Sequence, residues 1–285
     1  MTPSAERWLY LINPNSGTLP ASERVRRITS CDSNCDFRQT AYPGEATALS
    51  QSRHSEYEAV VAVGGDGTVR ETAEGLIGRD CRLVILPVGS GNGLARHLRI
   101  PMRMDRAIAA LRRGKPARMD AYRANGIWGF NVCGLGFDGA VAKGMRDKQS
   151  RGLRAYIKLI FSLFNTSTSF HVEVSGSNHE AFLVAIANGS QYGNHAVIAP
   201  SADVQDGQLD CIILEKPSWW EIPWVAWCLR SNAVHLSSRI RTRKGSVFIV
   251  KADRPLPFHI DGDYIGETTE LRVTVEPGVI NVQIP

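Results

Sequence analysis

No stretch of this 285-residue sequence approaches the ~20 consecutive apolar residues that a membrane-spanning helix needs. The opening MTPSAERWLYLINPNSG also lacks the basic-then-apolar pattern of an export signal. Both absences point to a cytoplasmic protein. There is no C-x-x-C pair: Cys31, Cys35, Cys81, Cys133, Cys211 and Cys228 are scattered, mostly in apolar runs, and read as free thiols of a reducing compartment. There is no H-E-x-x-H and no paired-ligand spacing of histidines, so no zinc site is indicated. His97, His195, His235 and His259 read as surface or core residues. Nor is there a G-x-x-x-x-G-K-[ST] loop, which excludes the P-loop fold. No internal repeat or low-complexity tract occurs, and 21% charged with 43% apolar residues excludes disorder, collagen and coiled coil. No charge of one sign dominates: 33 basic against 28 acidic residues leave +5, which suits anionic partners without selecting one. The basic residues at 103–118 have no interleaved aromatics, so they read as a solvated helix face, and nucleic acid is not an expected partner.

What is present is organisation. The length predicts about two domains. The runs WLYLIN (8–13), AVVAVGG (59–65) and RLVILPVG (82–89) are apolar without alternation, as strands buried on both faces of a parallel sheet are. Helical spacing at 22–28, 46–55, 68–78 and 104–114 completes a doubly wound α/β pattern. Beyond a boundary near residue 120 the style changes. AYRANGIWGFNVCGLGF (121–137) reads as two strands about an Asn-Gly turn, and short β-rich runs follow at 170–176, 180–189, 208–215, 246–252, 257–266, 270–278 and 279–284. The second half is therefore expected to be mainly antiparallel β. Two helices interrupt it: an amphipathic one over 151–165, with Leu153, Tyr156, Ile157, Ile160, Leu163 and Phe164 on one stripe, and PSWWEIPWVAWCLRSN (217–232) with four of the six tryptophans.

Three glycine-rich turns each follow an expected strand: NPNSG (13–17), GGDGT (64–68) and GSGNG (89–93). Such turns let backbone N–H groups close around an anion, and three at one sheet edge, where open α/β folds bind ligands, point to phosphate binding. Asp66 lies inside the second turn. A carboxylate beside phosphate oxygens is repulsive unless a cation intervenes, so Asp66 implies Mg²⁺; it also reads as an N-cap for the helix beginning near Val69. A G-x-G-x-x-G run at Gly134, Gly136 and Gly139 is not a dinucleotide fingerprint, because residues 148–172 contain no Asp or Glu to meet a ribose.

NPNSG, GGDGTVRETAEGL and LPVGSGNGLARHL at these spacings resemble the diacylglycerol kinase catalytic domain family, which includes bacterial lipid kinases and sphingosine and ceramide kinases. The likeness continues through NVCGLGFDGAV (131–141), PSADVQDGQLD (200–210) and HIDGDYIGE (259–267), so it covers nearly the whole chain. The resemblance implies a lipid kinase that takes ATP in a cleft between two domains. The first, 1–122 completed by 279–285, would be the doubly wound α/β nucleotide domain, and the second, 123–278, a mainly antiparallel β-sandwich presenting the lipid. It implies nucleotide contacts at Asn13, Pro14, Asn15, Ser16, Gly17, Thr40, Gly64, Gly65, Asp66, Gly67, Thr68, Val69, Arg70, Glu71, Gly89, Ser90 and Asn92. The family's usual Asn is Arg70 here, which would contact phosphate or point to solvent, and the third loop is closer to the sphingosine kinase style.

By the same resemblance, the D-G-E pattern that supplies the general base is Asp261-Gly262-Asp263 here, with Asp261 the expected base and Asp263 in place of the glutamate. As residues alone, these also read as an ordinary Asp-Gly turn. Asp120 would join Asp66 near the catalytic Mg²⁺, and Asp203, Asp206 and Gln208 would hold a structural Mg²⁺. A lipid kinase must meet a membrane surface, so the chain is expected to dock peripherally at its inner face. The tryptophan segment, with Arg230, Arg239, Arg241, Arg243 and Lys244 beyond it, reads equally as an interfacial anchor or as a core helix under the sandwich. The lipid and the oligomeric state, a homodimer included, are left open. Rival readings are an NAD kinase, which shares GGDGT, and a catalytically dead nucleotide sensor, for which Arg70 and Asp263 are the hints.

Overall fold

The computed structural model describes residues 7–147, 153–193, 196–231 and 233–285. His195, residues 151–152 of the expected helix and Asn232 of the tryptophan segment lie outside the described residues, as do the side chains at 153–157. The chain forms two units, Met1–Asp120 with Gly278–Pro285, and Ala121–Pro277. The divisions fall at 120/121 and 277/278, where the sequence reading places 122/123 and 278/279.

In the first unit β1 (Trp8–Ile12), α1 (Ala21–Cys31), β2 (Cys35–Gln39), α2 (Glu45–Arg53), β3 (Ala59–Gly64), α3 (Asp66–Gly75), β4 (Arg82–Pro87), α4 (Gly93–His97) and α5 (Met104–Arg113) follow one another, and β5 (Lys115–Ala124) leads into the second unit. The sheet is parallel, with Trp8 beside Cys35 on one side and Ala59 on the other, and Ala59 beside Arg82. This order, β2-β1-β3-β4, reverses direction between β1 and β3. Right-handed crossovers then put α1 on one face and α2 and α3 on the other; accordingly α1 packs with α5, and α2 with α3. All residues of β1 and β3 are buried, as unalternated strands between helix layers must be. Edge strand β2, CDFRQ, is half-exposed and polar, which hid it from the sequence reading. Residues 115–118, expected as part of a basic helix face, are strand.

The second unit continues with β6 (Ile127–Gly129), β7 (Val132–Gly136), α6 (Phe137–Asp147), α7 (Leu153–Thr166), β8 (Phe170–Val174), β9 (Ser177–Ala181), β10 (Leu183–Ala187), β11 (Leu209–Leu214), α8 (Ile222–Arg230), β12 (Ile240–Gly245), β13 (Val247–Ile260) and β14 (Asp263–Ile284). It is an antiparallel β-sandwich ordered β12-β11-β10-β7-β13-β14, with β8 pairing β13 and β9. Strand alternation divides its core. Val184 and Ile186 of β10 join Cys211 and Ile213 of β11 in one apolar cluster, while Leu183, Ala185, Ile212 and Leu214 face another that includes Val225, Cys228 and Leu229 of α8. The tryptophans of this segment do not join that core. The two strands expected over 121–137 are three, with Asn125 and Gly126 at φ 48° and 85° turning β5 into β6. Conversely, the separate runs from 246 to 284 are two long strands joined at Asp261-Gly262. The end of β14 returns to the first unit, where Val282 pairs Leu83 in parallel and Ile280 and Val282 are buried.

Candidate active site

The first two glycine turns leave β1 and β3 at the point where strand order reverses, where open α/β sheets receive ligands. Asn13 stitches them together. Its N–H donates to the Val63 carbonyl at 3.2 Å, its Nδ2 donates to Thr68 Oγ1 at 3.0 Å, and its Oδ1 accepts from Asn15 N at 2.9 Å. Thr40, at the end of β2, donates its N–H to the Ile12 carbonyl at 3.0 Å. Thr40 thereby joins Asn13, Asn15, Thr68 and Glu71 around a niche of about 130 Å³. Val69 is buried in the core, Arg70 is half-buried on α3 and Ser90 is exposed.

Asp66 does not cap its own helix, which it opens as the first residue behind an N-cap at Gly65. It reaches instead to the third loop: Oδ2 accepts from Asn92 N at 2.8 Å and Oδ1 from Gly93 N at 2.7 Å, capping α4 from a distance. Asn92 sits in the left-handed region at φ 56° and donates Nδ2 to the Gly89 carbonyl at 2.7 Å. The glycines serve this loop-on-loop packing directly. A Cβ on Gly17, itself at φ +75°, would lie 2.7 Å from the Val88 carbonyl oxygen, and one on Gly89 would lie 2.5 Å from Gly65 Cα.

Beneath the first loop lies a residue the sequence reading missed. Arg24 of α1 is fully buried, donates to the carbonyls of Asn13 at 2.9 Å and Pro14 at 3.1 Å, and leaves Nε without a hydrogen-bond partner. Among the described residues no carboxylate pairs with it, and burial pushes its pKa below the ordinary guanidinium value. Arg96 holds the third loop similarly, donating Nε to the Gly91 carbonyl at 3.1 Å. Arg24, Arg27, Arg96 and Arg103 line a cavity of about 580 Å³ beside Gly17 and Gly89, against the single carboxylate of Asp105. Asp105 is paired with Arg103 at 2.9 Å. A cavity with that charge suits an anion.

The Asp261-Gly262-Asp263 turn belongs to the second unit. Asp261 takes φ +51°, and its carboxylate is heavily engaged. Oδ1 accepts from the Tyr122 hydroxyl at 2.9 Å, Asn131 N at 2.8 Å and Val132 N at 3.1 Å, while Oδ2 accepts from Phe130 N at 2.8 Å. Burial first, and then the Asp261 charge, hold the Tyr122 phenol far above its ordinary pKa. His259, buried, accepts from Gly262 N at Nδ1 (3.2 Å), so its Nε2 carries the proton toward Asp138 Oδ2 at 3.3 Å; that same oxygen accepts from the Tyr192 hydroxyl at 2.8 Å. Asp138, Tyr192 and His259 thus brace the turn from one side, and Tyr122 with the 130–132 backbone from the other. Asp263 is exposed at the tip.

The expected metal residues have other duties. Asp120, buried, accepts from Gly278 N at 2.7 Å, fastening β5 to β14. Asp203 and Asp206 accept from the N–H groups of Gln205 at 3.0 Å and Gln208 at 2.9 Å, each closing a local turn. Where the resemblance implies a structural Mg²⁺, the Lys244 ammonium stands instead, 2.9 Å from Asp206 Oδ2, 3.5 Å from Asp210 Oδ2 and 3.2 Å from the Ser201 carbonyl. A cation of that sign is already present, so Asp203, Asp206 and Gln208 do not fit a divalent ion. Among the described residues no three His, Cys, Asp or Glu side chains gather as a metal cage. Asp66 alone, a hard oxygen donor at a helix start, suits Mg²⁺, which takes one or two carboxylates and otherwise phosphate and water oxygens.

Residues 7–124 match the family described as Diacylglycerol kinase catalytic domain, and residues 132–284 the YegS C-terminal NAD kinase beta sandwich-like domain. A Pseudomonas putida protein named "Probable lipid kinase YegS-like" is 30% identical over 88% of this chain and 85% of its own. The crystal structure of a diacylglycerol kinase from Bacillus anthracis shares the fold, with a TM-score of 0.74 at 19% identity over 98% of this chain and 97% of that one. An NAD kinase from Archaeoglobus fulgidus, solved with ATP, is more distant, with a TM-score of 0.52 at 11% identity over 97% and 93%. The chain is a member of the family that joins a diacylglycerol kinase catalytic domain to a YegS-type C-terminal β-sandwich domain.

Proposed function

We propose that the chain is an ATP- and Mg²⁺-dependent kinase that phosphorylates the hydroxyl of a lipid such as a diacylglycerol or a sphingoid base. The reading rests above all on the cradle of the first unit, three glycine turns locked by Asn13 and Asp66 beside a buried arginine that has no carboxylate partner among the described residues. Asn13, Thr40, Thr68 and Glu71 would hold the nucleoside end, and the N–H groups of the 65–67 and 89–91 turns would meet the phosphates. Mg²⁺, held by Asp66, would neutralise charge developing on the transferred phosphoryl group.

The acceptor proton falls to the Asp261-Gly262-Asp263 turn, with the roles exchanged from the sequence expectation. A carboxylate that accepts four hydrogen bonds is a fixed anion and a poor proton acceptor. Asp261 therefore sets the turn, and exposed Asp263 takes the hydroxyl proton. The test is transfer of label from γ-labelled ATP by purified protein with Mg²⁺. Acceptors would be diacylglycerol, sphingoid base, ceramide, monoacylglycerol and polyprenol in mixed micelles, with free NAD as a further arm. Label in one lipid, lost in Asp263→Asn, supports the reading. Label in NAD alone establishes the NAD kinase instead, and nucleotide binding with no transfer establishes the sensor.

A further inference from the structure

Four tryptophans stand on the outside of the second unit. Trp220 is 82% exposed, Trp224 47%, Trp227 48% and Trp219 42%. This is not a misplaced core face, because α8 already buries Val225, Cys228 and Leu229 on its inner side. Trp224 and Trp227, three residues apart on α8, line the opposite side, and Trp220 stands exposed in the turn that leads into the helix. The Trp224 and Trp227 rings stack with centroids 5.0 Å apart. Trp219 extends the surface to α7 by stacking on Phe161, itself 53% exposed, at 5.4 Å. Two stacked pairs, linked along the chain through Trp219-Trp220, thus form an exposed aromatic ridge on α7 and α8.

We infer that this ridge is the surface by which the protein lies on an anionic phospholipid bilayer, a reading that rests on and deepens the proposed lipid kinase. Indole has an apolar body and an N–H that suits the headgroup boundary, whereas an aliphatic patch would suit the hydrocarbon or another protein core. Charge points the same way. Neither α7 nor α8 contains an acidic residue, Arg230 ends the exposed side of α8, and Lys158 stands exposed one turn before Phe161. The nearest acid, Glu221, is paired with Arg239 at 3.1 Å. A helix of nine residues is about 13 Å long, enough to lie in an interface and too short to cross one. A second copy is a poorer occupant. A symmetric contact centred on α8 would set the exposed Arg230 against its own kind.

The experiment uses the full chain with vesicles of phosphatidylcholine alone or with phosphatidylglycerol. Binding is read by co-sedimentation and by quenching of tryptophan emission with brominated lipid. We expect wild type to bind the anionic vesicles with quenched emission, Trp220→Ser/Trp224→Ser/Trp227→Ser to bind at least tenfold less, and Arg230→Glu to lose binding several-fold on anionic vesicles. Should the triple variant unfold, Trp220→Ser alone and the quenching of wild type carry the test. Unchanged binding in the variants, or no quenching of bound wild type, overturns the inference. So does a wild-type dimer by light scattering that the triple variant converts to monomer, since the ridge would then belong to a second copy. Activity separates this surface from the kinase reading. The triple variant should phosphorylate a soluble short-chain diacylglycerol like wild type and lose at least tenfold on long-chain lipid in vesicles. Tryptophan-dependent vesicle binding by a protein that labels no lipid would keep the docking surface and reject the kinase.

Discussion

Asp261→Asn separates a residue that builds the turn from one that does the chemistry. Among the described residues, Oδ1 of Asp261 accepts from Tyr122, Asn131 and Val132, and Oδ2 accepts from Phe130. An asparagine with its carbonyl at the Oδ1 position keeps three acceptors but turns them from charge-assisted to neutral, a loss of about 1 kcal/mol each. Its amide N–H₂ then faces the Phe130 N–H, and a buried donor left unmatched adds about 1–3 kcal/mol. Relief of carboxylate desolvation offsets roughly 2 kcal/mol, so the net loss of stability is about 2–4 kcal/mol. Urea denaturation followed by tryptophan fluorescence reads this unit directly, since Trp8 is the one tryptophan of six outside it. The expected result is a lower midpoint at unchanged slope. Asp263→Asn, at an exposed tip, should stay within about 0.5 kcal/mol of wild type while turnover falls ~100-fold or more. Unchanged stability in Asp261→Asn together with full turnover in Asp263→Asn would refute the assignment and return the base to Asp261.

Two further predictions concern cations, the buried Arg24 and the exposed Lys244. Arg24→Met removes the donors that hold the Asn13 and Pro14 carbonyls, so nucleotide affinity measured by calorimetry should fall about tenfold or more, the equivalent of ~1.4 kcal/mol; wild-type affinity would show that the anion does not use this loop. Lys244→Met leaves buried Asp210 without its cation and should cost about 1–3 kcal/mol of stability, whereas EDTA should leave the nucleotide-free wild type unchanged. The hydrogen bond to Asp206 chiefly raises the Lys244 pKa above 10.5, so its stabilisation is complete below 10.5 and is lost as pH climbs through the higher folded value. Melting curves taken upward from about pH 10 should therefore decline more steeply for wild type than for Lys244→Met; parallel curves would contradict this.

The parts of the molecule that could be read in advance are those encoded locally. Strands β1, β3 and β4 announce themselves as unbroken apolar runs, closed by Asn-Pro after β1 and by glycine after β3 and β4, and the loops that follow them are contiguous motifs. Strand β13 does not show as one run in the sequence, because Arg254, Pro255 and Pro257 interrupt its pattern near its register shifts. Arg24 and Lys244 lay hidden for a different reason. Each looks like an ordinary basic residue, and its meaning comes from partners as distant in sequence as Ser201 is from Lys244. Asp261 was found by motif, but its surroundings were not, since nothing in HIDGDYIG reveals that Tyr122 and the backbone of 130–132 converge on its carboxylate.

The path of β14 bears on how the protein is made. Residues 278–284 complete the parallel sheet, burying Ile280 and Val282 and receiving the Gly78 N–H on the Val279 carbonyl at 2.9 Å. During synthesis the first 120 residues therefore emerge with the β4 side of their sheet open, and it stays open while the whole sandwich is translated, at ~5–20 residues per second about ten to thirty seconds. An apolar strand edge held open that long invites pairing with other chains. The N-terminal unit should thus behave as a chaperone client until its last strand arrives, and a fragment ending at residue 120 should aggregate where the full chain does not.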